Sequence, residues 1–424
     1  MTIDHGDARI DIAIVGAGAA GLFAAIHAAR AAPDLRVVAF DGAKKLGAKI
    51  LVAGGGRCNV THFAVSERDY CGAPSHLVRR VLGAYGVEET VDFFGAEGVE
   101  LKREETGKLF PTTDKARTVL DALLTAAQRS GVDLRHPCSV DGIDRRADGF
   151  VLALGEQSVT ARRVIVAVGG KSLPKSGSDG RGYALATSLG HTLTPRIEPA
   201  LVPLTLPKDA WLTRLSGIAV DAVVDVVLST GRSLWSTRGA VLLTHFGVSG
   251  PAILDASRHW IHAHADNAEA ALRINFVPSH SRQSLEELLK ATKGKSVLAA
   301  LHGLLPERFL RESCAEAQVD PTVGAQQITR AQRSALCDLL AACVLPINGT
   351  RGFDTAETTA GGIPLTEVAI ETMESVRCPG LHLCGEVLDV DARIGGFSFQ
   401  WAWSSGFVAG TAAAAAVRSP INLG

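Results

Sequence analysis

The segment whose residue types most clearly could take part in chemistry is Gly54 to Asn59, which has the sequence GGGRCN. Three consecutive glycines let the backbone lie flat against a ligand, and Arg57, Cys58 and Asn59 then offer a cation, a soft nucleophile and an amide. A thiolate at Cys58 could act in disulfide exchange. No second cysteine lies nearby in sequence to resolve such a bond, so a packing thiol is favoured over a redox thiol.

Histidine and carboxylate side chains supply the other candidate groups. His245 could donate a proton near neutral pH, the task for which histidine is most often used; a hydrogen-bonded structural histidine at a strand end is an equally open alternative. Glu386 precedes Asp389 and Asp391. We interpret Glu386 as a ligand contact and the two aspartates as loop or capping groups.

Three further histidines, His259, His262 and His264, raise the question of a metal site. Their spacing places only the first two on one face of a helix. No cysteine or acidic residue recurs at metal-binding spacing, so we predict no bound metal.

A strand, a tight turn and a helix are predicted within residues 11–30, DIAIVGAGAAGLFAAIHAAR. In this GxGxxG pattern Gly16 makes the turn, Gly18 lets the backbone approach a pyrophosphate, and Gly21 lets the helix pack on the strand. The helix N-terminus supplies an anion site. Asp41, which ends a second apolar run, can hold an adenosine ribose hydroxyl. These residues together predict a dinucleotide-binding fold.

The remaining elements follow from hydrophobic periodicity and turn residues. Amphipathic helices are predicted at 75–98 and 114–130, with a long glycine-rich loop at 42–59 before them. A β-meander is predicted at about 134–162, with strands at 134–143, 150–154 and 158–162. A separate buried strand at 164–168 ends in Gly169 and Gly170, which returns the chain to the ligand side of the sheet.

Closely spaced prolines near residue 195 indicate a domain boundary. The predicted parts are the N-terminal part of the dinucleotide-binding domain at 1–194, an inserted domain at 195–350, and the C-terminal part at 351–424. Within the insert we expect strands at about 195–278 and helices at about 284–342. Thr329 and Gln332 have the spacing of a capping box, and Gly395 and Gly396 precede a final helix.

Composition restricts the class of protein. The 424 residues carry a formal charge of −1, so no overall field favours nucleic acid or a membrane surface. Eight cysteines without a CxxC motif are typical of reduced thiols in a cytoplasmic protein. The N-terminal ten residues are polar, so no signal peptide is predicted. Residues 394–417 are uncharged but rich in alanine, serine and glycine, which favours a buried helix over a membrane span.

These motifs resemble the two-dinucleotide-binding flavoproteins, and within them the group that contains BaiN-type reductases and aminoacetone oxidase-like proteins. The matching stretches run nearly end to end: GAGAAG at 16–21, GGGRCN at 54–59, GKLFPTTDKA at 107–116, VAVGGKS at 166–172, THFGVSGPAIL at 244–254, TAGGI at 359–363, TMES at 372–375 and GLHLCGEVLDVDARIGGFSFQWAWSSG at 380–406. The resemblance implies an α/β fold, with a Rossmann-like FAD-binding domain of glutathione-reductase type and an inserted β-barrel-like plus helical substrate domain.

The resemblance also implies positions for the residues that contact FAD. They are Gly16, Gly18 and Gly21 at the pyrophosphate, Asp41 at the ribose, Val140 near the adenine, Gly56, Arg57, Cys58 and Asn59 near the isoalloxazine, Gly169 after the returning strand, Gly385 and Glu386 at the ribityl and phosphate region, and Gly395, Gly396 and Phe397 at the pyrimidine edge.

Three functions are compatible with this sequence. The first is an FAD-dependent reductase of a polarised, conjugated double bond in a small molecule, with NAD(P)H as the electron donor. Because the chain has only one GxGxxG, NAD(P)H would bind only transiently. The second is an oxidase of a small amine or alcohol that produces hydrogen peroxide. The third is an RNA-acting flavoprotein, which the insert disfavours because its 15 Lys and Arg against 14 Asp and Glu give a net charge of only +1. No membrane partner is predicted, and the oligomeric state is left open.

Overall fold

The computed structural model describes residues 9–418. The helices are α1 (Ala19–Ala31), α2 (Ala48–Gly56), α3 (Ser75–Ala84), α4 (Val87–Ala96), α5 (Ala116–Arg129), α6 (Arg181–Ser188), α7 (Pro251–Asp266), α8 (Arg282–Ala291), α9 (Val297–Leu301), α10 (Glu307–Glu316), α11 (Arg330–Ala341) and α12 (Phe397–Arg418). Short 3₁₀ turns lie at Glu67–Asp69, Pro174–Ser176, Trp211–Leu215, Leu365–Glu367 and Gly385–Val387.

The strands are β1 (Ile10–Val15), β2 (Val37–Phe40), β3 (Thr61–His62), β4 (Tyr70–Gly72), β5 (Leu101–Arg103), β6 (Lys108–Pro111), β7 (Asp133–Arg135), β8 (Gly142–Arg146), β9 (Gly149–Leu154), β10 (Gln157–Val166), β11 (Glu198–Ala200), β12 (Leu204–Thr205), β13 (Ala219–Val227), β14 (Ser233–Thr244), β15 (Gly247–Ser249), β16 (Ala271–Asn275), β17 (Cys343–Val344), β18 (Gly349–Thr350), β19 (Thr358–Ala360), β20 (Val368–Ala369), β21 (Glu374–Ser375), β22 (Leu381–Leu383) and β23 (Val390–Ala392).

The chain forms two structural units. Unit 1 runs to Pro199 and resumes at Glu357, and unit 2 comprises Ala200–Ala356. The boundaries that we predicted from sequence, after residues 194 and 350, lie a few residues before these positions. The assignment of the insert as a substrate domain stays a prediction.

Five parallel strands form the centre of unit 1, in the order β22-β10-β1-β2-β7. Five of the six residues of β1 are fully buried, as is usual where both faces of a parallel sheet are covered. The register places Val15 beside Phe40 of β2 and Val166 of β10. The carboxyl ends of these three strands therefore meet at one edge, which is where open α/β sheets bind ligands. The predicted Rossmann-type α/β fold is confirmed.

Two strand predictions in unit 1 were wrong in detail. The predicted strand at 134–143 is two elements, because β7 joins the parallel sheet whereas β8 pairs with β9. Pro137 lies between them and has no N–H to continue a strand ladder. The strands predicted at 158–162 and 164–168 are one strand, β10, which pairs with the meander at its start and with β1 and β22 at its end.

Helix α12 packs closely against α1 within unit 1. A Cβ atom at Gly406 would lie 2.7 Å from the Ala20 carbonyl oxygen, and one at Gly410 would lie 2.2 Å from that of Ala24. These glycines let the two helix backbones meet, so the uncharged 394–417 stretch is buried in protein. Within residues 9–418, no helix has both the length and the apolar character that crossing a bilayer requires.

Unit 2 contains a seven-stranded antiparallel sheet in the order β17-β16-β13-β14-β15-β12-β18. Its two edge strands are joined by only four residues, 345–348. A flat sheet of seven strands would separate its edges by about 29 Å, whereas so short a link spans at most about 18 Å. The sheet must therefore curl, as the predicted barrel-like insert requires.

The helices of unit 2 follow the sequence analysis with one addition. Helix α7 lies within the span that we assigned to strands, and α8 to α11 occupy the predicted helical span. The predicted capping box is confirmed, since the Thr329 side chain accepts a hydrogen bond from the Gln332 N–H and the Gln332 side chain accepts one from the Thr329 N–H.

Candidate functional site

The glycine turn between β1 and α1 contains glycines of two kinds. Gly16 has φ +97°, and a Cβ there would lie 2.6 Å from the Ala167 carbonyl oxygen, while a Cβ at Gly21 would lie 1.8 Å from the Gly16 oxygen. Both glycines are required by close packing of protein on protein. A Cβ at Gly18 would meet nothing within 4 Å, and α1 begins there without a side-chain cap. The first N–H groups of α1 thus border open space suited to an anion.

Asp41 lies at the end of β2 and holds this turn in place. Its carboxylate accepts hydrogen bonds from the N–H of Ala17 and the N–H of Ala43, both at 2.8 Å. The Asp41 side chain therefore orders the backbone of the turn. A ribose contact would use the remaining lone pairs of the same oxygens, and it stays a prediction.

The segment 42–59, predicted as one long loop, contains the short helix α2. The helix ends at the tripled glycines, since Ala53, Gly54 and Gly55 have non-helical φ and ψ angles. A Cβ at Gly55 would meet nothing within 4 Å, and one at Gly56 would meet only the Leu51 oxygen at 3.8 Å. The backbone of this segment is therefore accessible to a flat ligand along one side.

The Arg57 side chain is held by other protein groups. Its guanidinium donates to Glu104 at 2.6 Å and lies 4.0 Å from the centre of the Phe110 ring. The hydrogen bond to Glu104 raises the pKa of Arg57 further above its ordinary value. Asp114 lies 3.6 Å from the same guanidinium. Arg57 is thus a fixed cation beside the glycine segment.

Cys58 and Asn59 are both buried, but their polar atoms differ. Burial raises the pKa of the Cys58 thiol to about 12, which keeps it protonated at neutral pH and favours the packing role over the redox role. Asn59 is 8 % exposed, and its Oδ1 has no hydrogen-bond partner among the described residues. A buried amide oxygen without a partner is costly, and an N–H of a bound ring would satisfy it.

The N-terminus of α12 meets the same segment. Gly396 has φ +92°, and a Cβ there would lie 2.8 Å from the Asn59 Oδ1 and 2.7 Å from the Thr61 carbonyl carbon. Phe397 is buried and stacks on His62, with ring centres 4.8 Å apart. A Cβ at Gly395 would lie 2.8 Å from the Phe397 ring. The N-terminus of α12 therefore lies beside Asn59, and a contact of either with FAD stays a prediction.

Glu386 is the centre of a polar network that joins four segments of unit 1. Its carboxylate forms an ion pair with Lys49 of α2 at 2.6 Å and accepts hydrogen bonds from the Ser172 hydroxyl at 2.8 Å and the Thr359 N–H at 2.9 Å. The Lys49 ammonium also donates to Ser172 at 2.8 Å. The neighbouring Gly385 donates its N–H to Ser405 of α12 at 3.0 Å. We had predicted a role for Glu386 but not for Lys49, Ser172 or Thr359.

Two other predicted contacts belong to the same unit. Gly169 has φ +76°, and a Cβ there would lie 2.7 Å from the Ser178 Oγ, which is buried without a hydrogen-bond partner among residues 9–418. Val140 is half-buried and packs against the core of unit 1.

His245 belongs to unit 2. It forms the two-residue turn between β14 and β15 together with Phe246. Its imidazole is exposed and makes no hydrogen bond within the described chain, so the hydrogen-bonded structural alternative has no support. Also in unit 2, His259 stacks on Trp235 at 4.4 Å. Residues 9–418 contain no group of three or more metal-binding side chains.

Comparison with protein families decides the classification. Residues 10–412 match the model described as the HI0933-like protein Rossmann domain. The chain belongs to this HI0933-like family. Two curated relatives cover nearly the whole chain. The 3-dehydro-bile acid delta(4,6)-reductase of Clostridium scindens is 36% identical over 95% of this chain and 98% of its own. The ribosomal RNA dihydrouridine synthase of Escherichia coli is 34% identical over 94% and 96%.

Solved structures show the same fold as this HI0933-like chain. A variant of E. coli quinol fumarate reductase matches with a TM-score of 0.53 and 18% identity, covering 97% of this chain and 70% of its own. The 3-ketosteroid delta1-dehydrogenase of Sterolibacterium denitrificans matches with a TM-score of 0.50 and 12% identity, covering 96% and 99%. The open space at Gly18 and the unpartnered Asn59 oxygen fit FAD. This family member is an FAD-dependent oxidoreductase.

Proposed function

We propose that the protein reduces a carbon–carbon double bond conjugated with a carbonyl group in a small molecule, and that NADH or NADPH supplies the electrons. The observation that carries this proposal is the chemistry shared by the two curated relatives. A delta(4,6)-reductase of a 3-dehydro compound saturates a double bond that is conjugated with a ketone. Formation of dihydrouridine saturates the ring double bond that is conjugated with a uracil carbonyl. We propose that the substrate of this chain accepts hydride at an electron-poor carbon of such a double bond.

The residues of unit 1 would bind and orient the cofactor for this reaction. Bound FAD supplies hydride chemistry, which leaves the protein to provide binding, orientation and a proton. The first turn of α1 beside Gly18 offers N–H groups to the diphosphate. Asn59 offers an acceptor oxygen and the ion pair of Lys49 with Glu386 offers a fixed cation. Cys58 keeps its proton at neutral pH, so we propose that it packs against the ring without exchanging electrons.

His245 is the proposed proton donor, because its imidazole is exposed and histidine is the side chain most often used for proton transfer. Replacing it with glutamine removes the acid but retains a polar side chain. We expect His245→Gln to lower kcat by about 10²-fold and to leave the bound FAD unchanged. If kcat is unaltered, His245 does not protonate the product.

The experiment that tests the proposed reaction begins with the cofactor. Purified protein should absorb near about 450 nm because of its flavin. Anaerobic bleaching by NADH or NADPH, followed by reoxidation with a conjugated enone, would support the proposal. Failure of every enone to reoxidise the flavin, together with hydrogen peroxide formation from amines or alcohols, would overturn it in favour of an oxidase.

A second candidate, reduction of uridine in ribosomal RNA, is favoured by a specific observation. Two relatives, from E. coli and Haemophilus influenzae, are ribosomal RNA dihydrouridine synthases at 34% and 32% identity. The near-neutral insert offers little net charge for phosphate binding. Incubating the reduced holoprotein with ribosomal RNA and measuring dihydrouridine by mass spectrometry separates the two candidate functions. Dihydrouridine formation would replace the small-molecule proposal.

With eight free cysteines in the structure, we propose a cytoplasmic location for either reaction.

A further inference from the structure

Unit 1 contains a cavity, with a volume of ≈ 600 Å³, that none of the predicted FAD contacts lines. Its apolar lining comes from the segment after Asp41, from one face of α5, and from Val132 and Leu134 at β7. Leu46 and Leu51 contribute from the first, and Leu120 and Leu124 from the second. Leu51 and Leu124 are only half-buried. A ligand with an apolar body would therefore gain further burial by binding here.

The polar side chains that line the same cavity are cationic or neutral. They include Lys44, Lys45, Arg117 and His136, and the described lining contains no aspartate or glutamate. Lys44 and Lys45 are exposed and have no hydrogen-bond or ion-pair partner in the described part of the chain. Arg117 has an exposed partner one helical turn away, Asp121, at 3.8 Å. Positive charge without a counter-ion thus adjoins an aliphatic surface.

We propose that this cavity binds a small amphiphilic anion, a molecule with an apolar body and one carboxylate. Its volume is within the range of about 300–1,000 Å³ that small-molecule sites occupy. The apolar body would lie on the leucines and the carboxylate would pair with Lys44 and Lys45. A cationic or neutral amphiphile would gain the same burial but no ion pair, so the charge of the lining selects for anions.

The site is separate from the FAD site in its residues. Asp41 directs its carboxylate to the N–H groups of Ala17 and Ala43, and Val140, which the resemblance assigns to the adenine, does not line the cavity. Leu46 and Leu51 lie on either side of Lys49 in the sequence. An anion bound here would therefore contact the segment that positions the ion pair of Lys49 with Glu386.

The test uses the FAD-loaded protein and two probes of equal chain length and opposite charge. Calorimetric titration with decanoate should give saturable binding at one site, whereas decyltrimethylammonium should bind at least about tenfold more weakly. FAD absorbance should remain unchanged throughout. Absence of saturable decanoate binding, equal binding of both probes, or release of FAD by decanoate would each overturn the proposal.

Variants of the two lysines locate the site. The double charge reversal Lys44→Glu with Lys45→Glu should weaken decanoate binding by about tenfold or more. Lys208→Glu, an exposed lysine of unit 2, carries the same kind of charge change and should have no effect. If the reversed pair fails to fold, Lys44→Gln with Lys45→Gln should still weaken binding severalfold. Unaltered affinity in a folded double variant would overturn the assignment.

Discussion

Replacing Gly18 with alanine should separate FAD binding from folding. Gly18 has φ −76° and ψ −165°, angles that alanine also adopts, and its new Cβ would meet nothing within 4 Å. The free energy of unfolding of the apoprotein should therefore change by less than about 0.5 kcal/mol. The added methyl would occupy the space through which a pyrophosphate approaches the first N–H groups of α1. Loss of one charge-assisted hydrogen bond, about 1.5–3 kcal/mol, raises the Kd for FAD by about ten- to a hundredfold.

Thermal unfolding of the apoprotein measures its stability, and titration of the apoprotein with FAD, followed by flavin fluorescence, measures the Kd. The matched variant is Gly21→Ala, whose Cβ would lie 1.8 Å from the Gly16 oxygen. It should fail to fold or should lower the thermal midpoint by many degrees. If Gly18→Ala retains wild-type affinity for FAD, the open space beside Gly18 does not hold the pyrophosphate. Loss of apoprotein stability in Gly18→Ala would equally contradict the reasoning.

Three further predictions concern charge, pH and helix packing. Lys49→Met should lower FAD affinity and the thermal midpoint, because it leaves the mostly buried carboxylate of Glu386 without its cation; adding Glu386→Gln should restore part of the loss in both measurements. Burial lowers the pKa of His27 from 6.5 to about 3, so an unfolded chain binds a proton that the folded one refuses. The contribution of neutral His27 to the free energy of unfolding is complete above pH 6.5 and decreases as the pH falls toward 3. The loss is about 2 kcal/mol at pH 5, and urea unfolding of His27→Leu should not show this loss. Gly410→Val should force α1 and α12 apart and cost about 3 kcal/mol or more. By contrast, Gly83→Ala, at an exposed position of α3, should raise the thermal midpoint slightly.

Each of these predictions has a result that contradicts it. An additive rather than compensating effect of the Lys49 and Glu386 substitutions would show that the ion pair does not couple them. The same loss of stability from pH 7 to 5 in His27→Leu as in the wild type would assign that loss to other groups. A Gly410→Val protein as stable as Gly83→Ala would mean that α1 and α12 are not packed through this glycine.

The sequence was sufficient for features that depend on local backbone requirements. The turn at Gly16 to Gly21, the start of the last helix after Gly396 and the capping box at Thr329 all involve residues only a few positions apart. The local backbone geometry can be predicted from such patterns, because glycine conformation and helix capping depend on neighbouring residues. The Rossmann-type fold and the FAD-dependent class followed from these patterns and from the resemblance.

Features formed between distant segments could not be predicted in the same way. The ion pair between Lys49 and Glu386 joins residues more than 300 positions apart, and no single-sequence pattern indicates it. The helix α2 was missed because its glycine-rich C-terminal end dominated the composition of the segment. Strand β10 was divided in two because its first half is exposed and its second half is buried, so one strand has two hydrophobic patterns.

The packing of α1 against α12 has a consequence for how the protein is made. A ribosome synthesises α1 near the start of the chain and α12 near its end, with the whole of unit 2 in between. The apolar face of α1 and one side of strand β10 therefore lack their partners until the last segments emerge. Unit 2 is contiguous and its folding needs no later residue, so it is the first part able to fold during synthesis. The packing of α1 against α12 must then be among the last events in the assembly of unit 1.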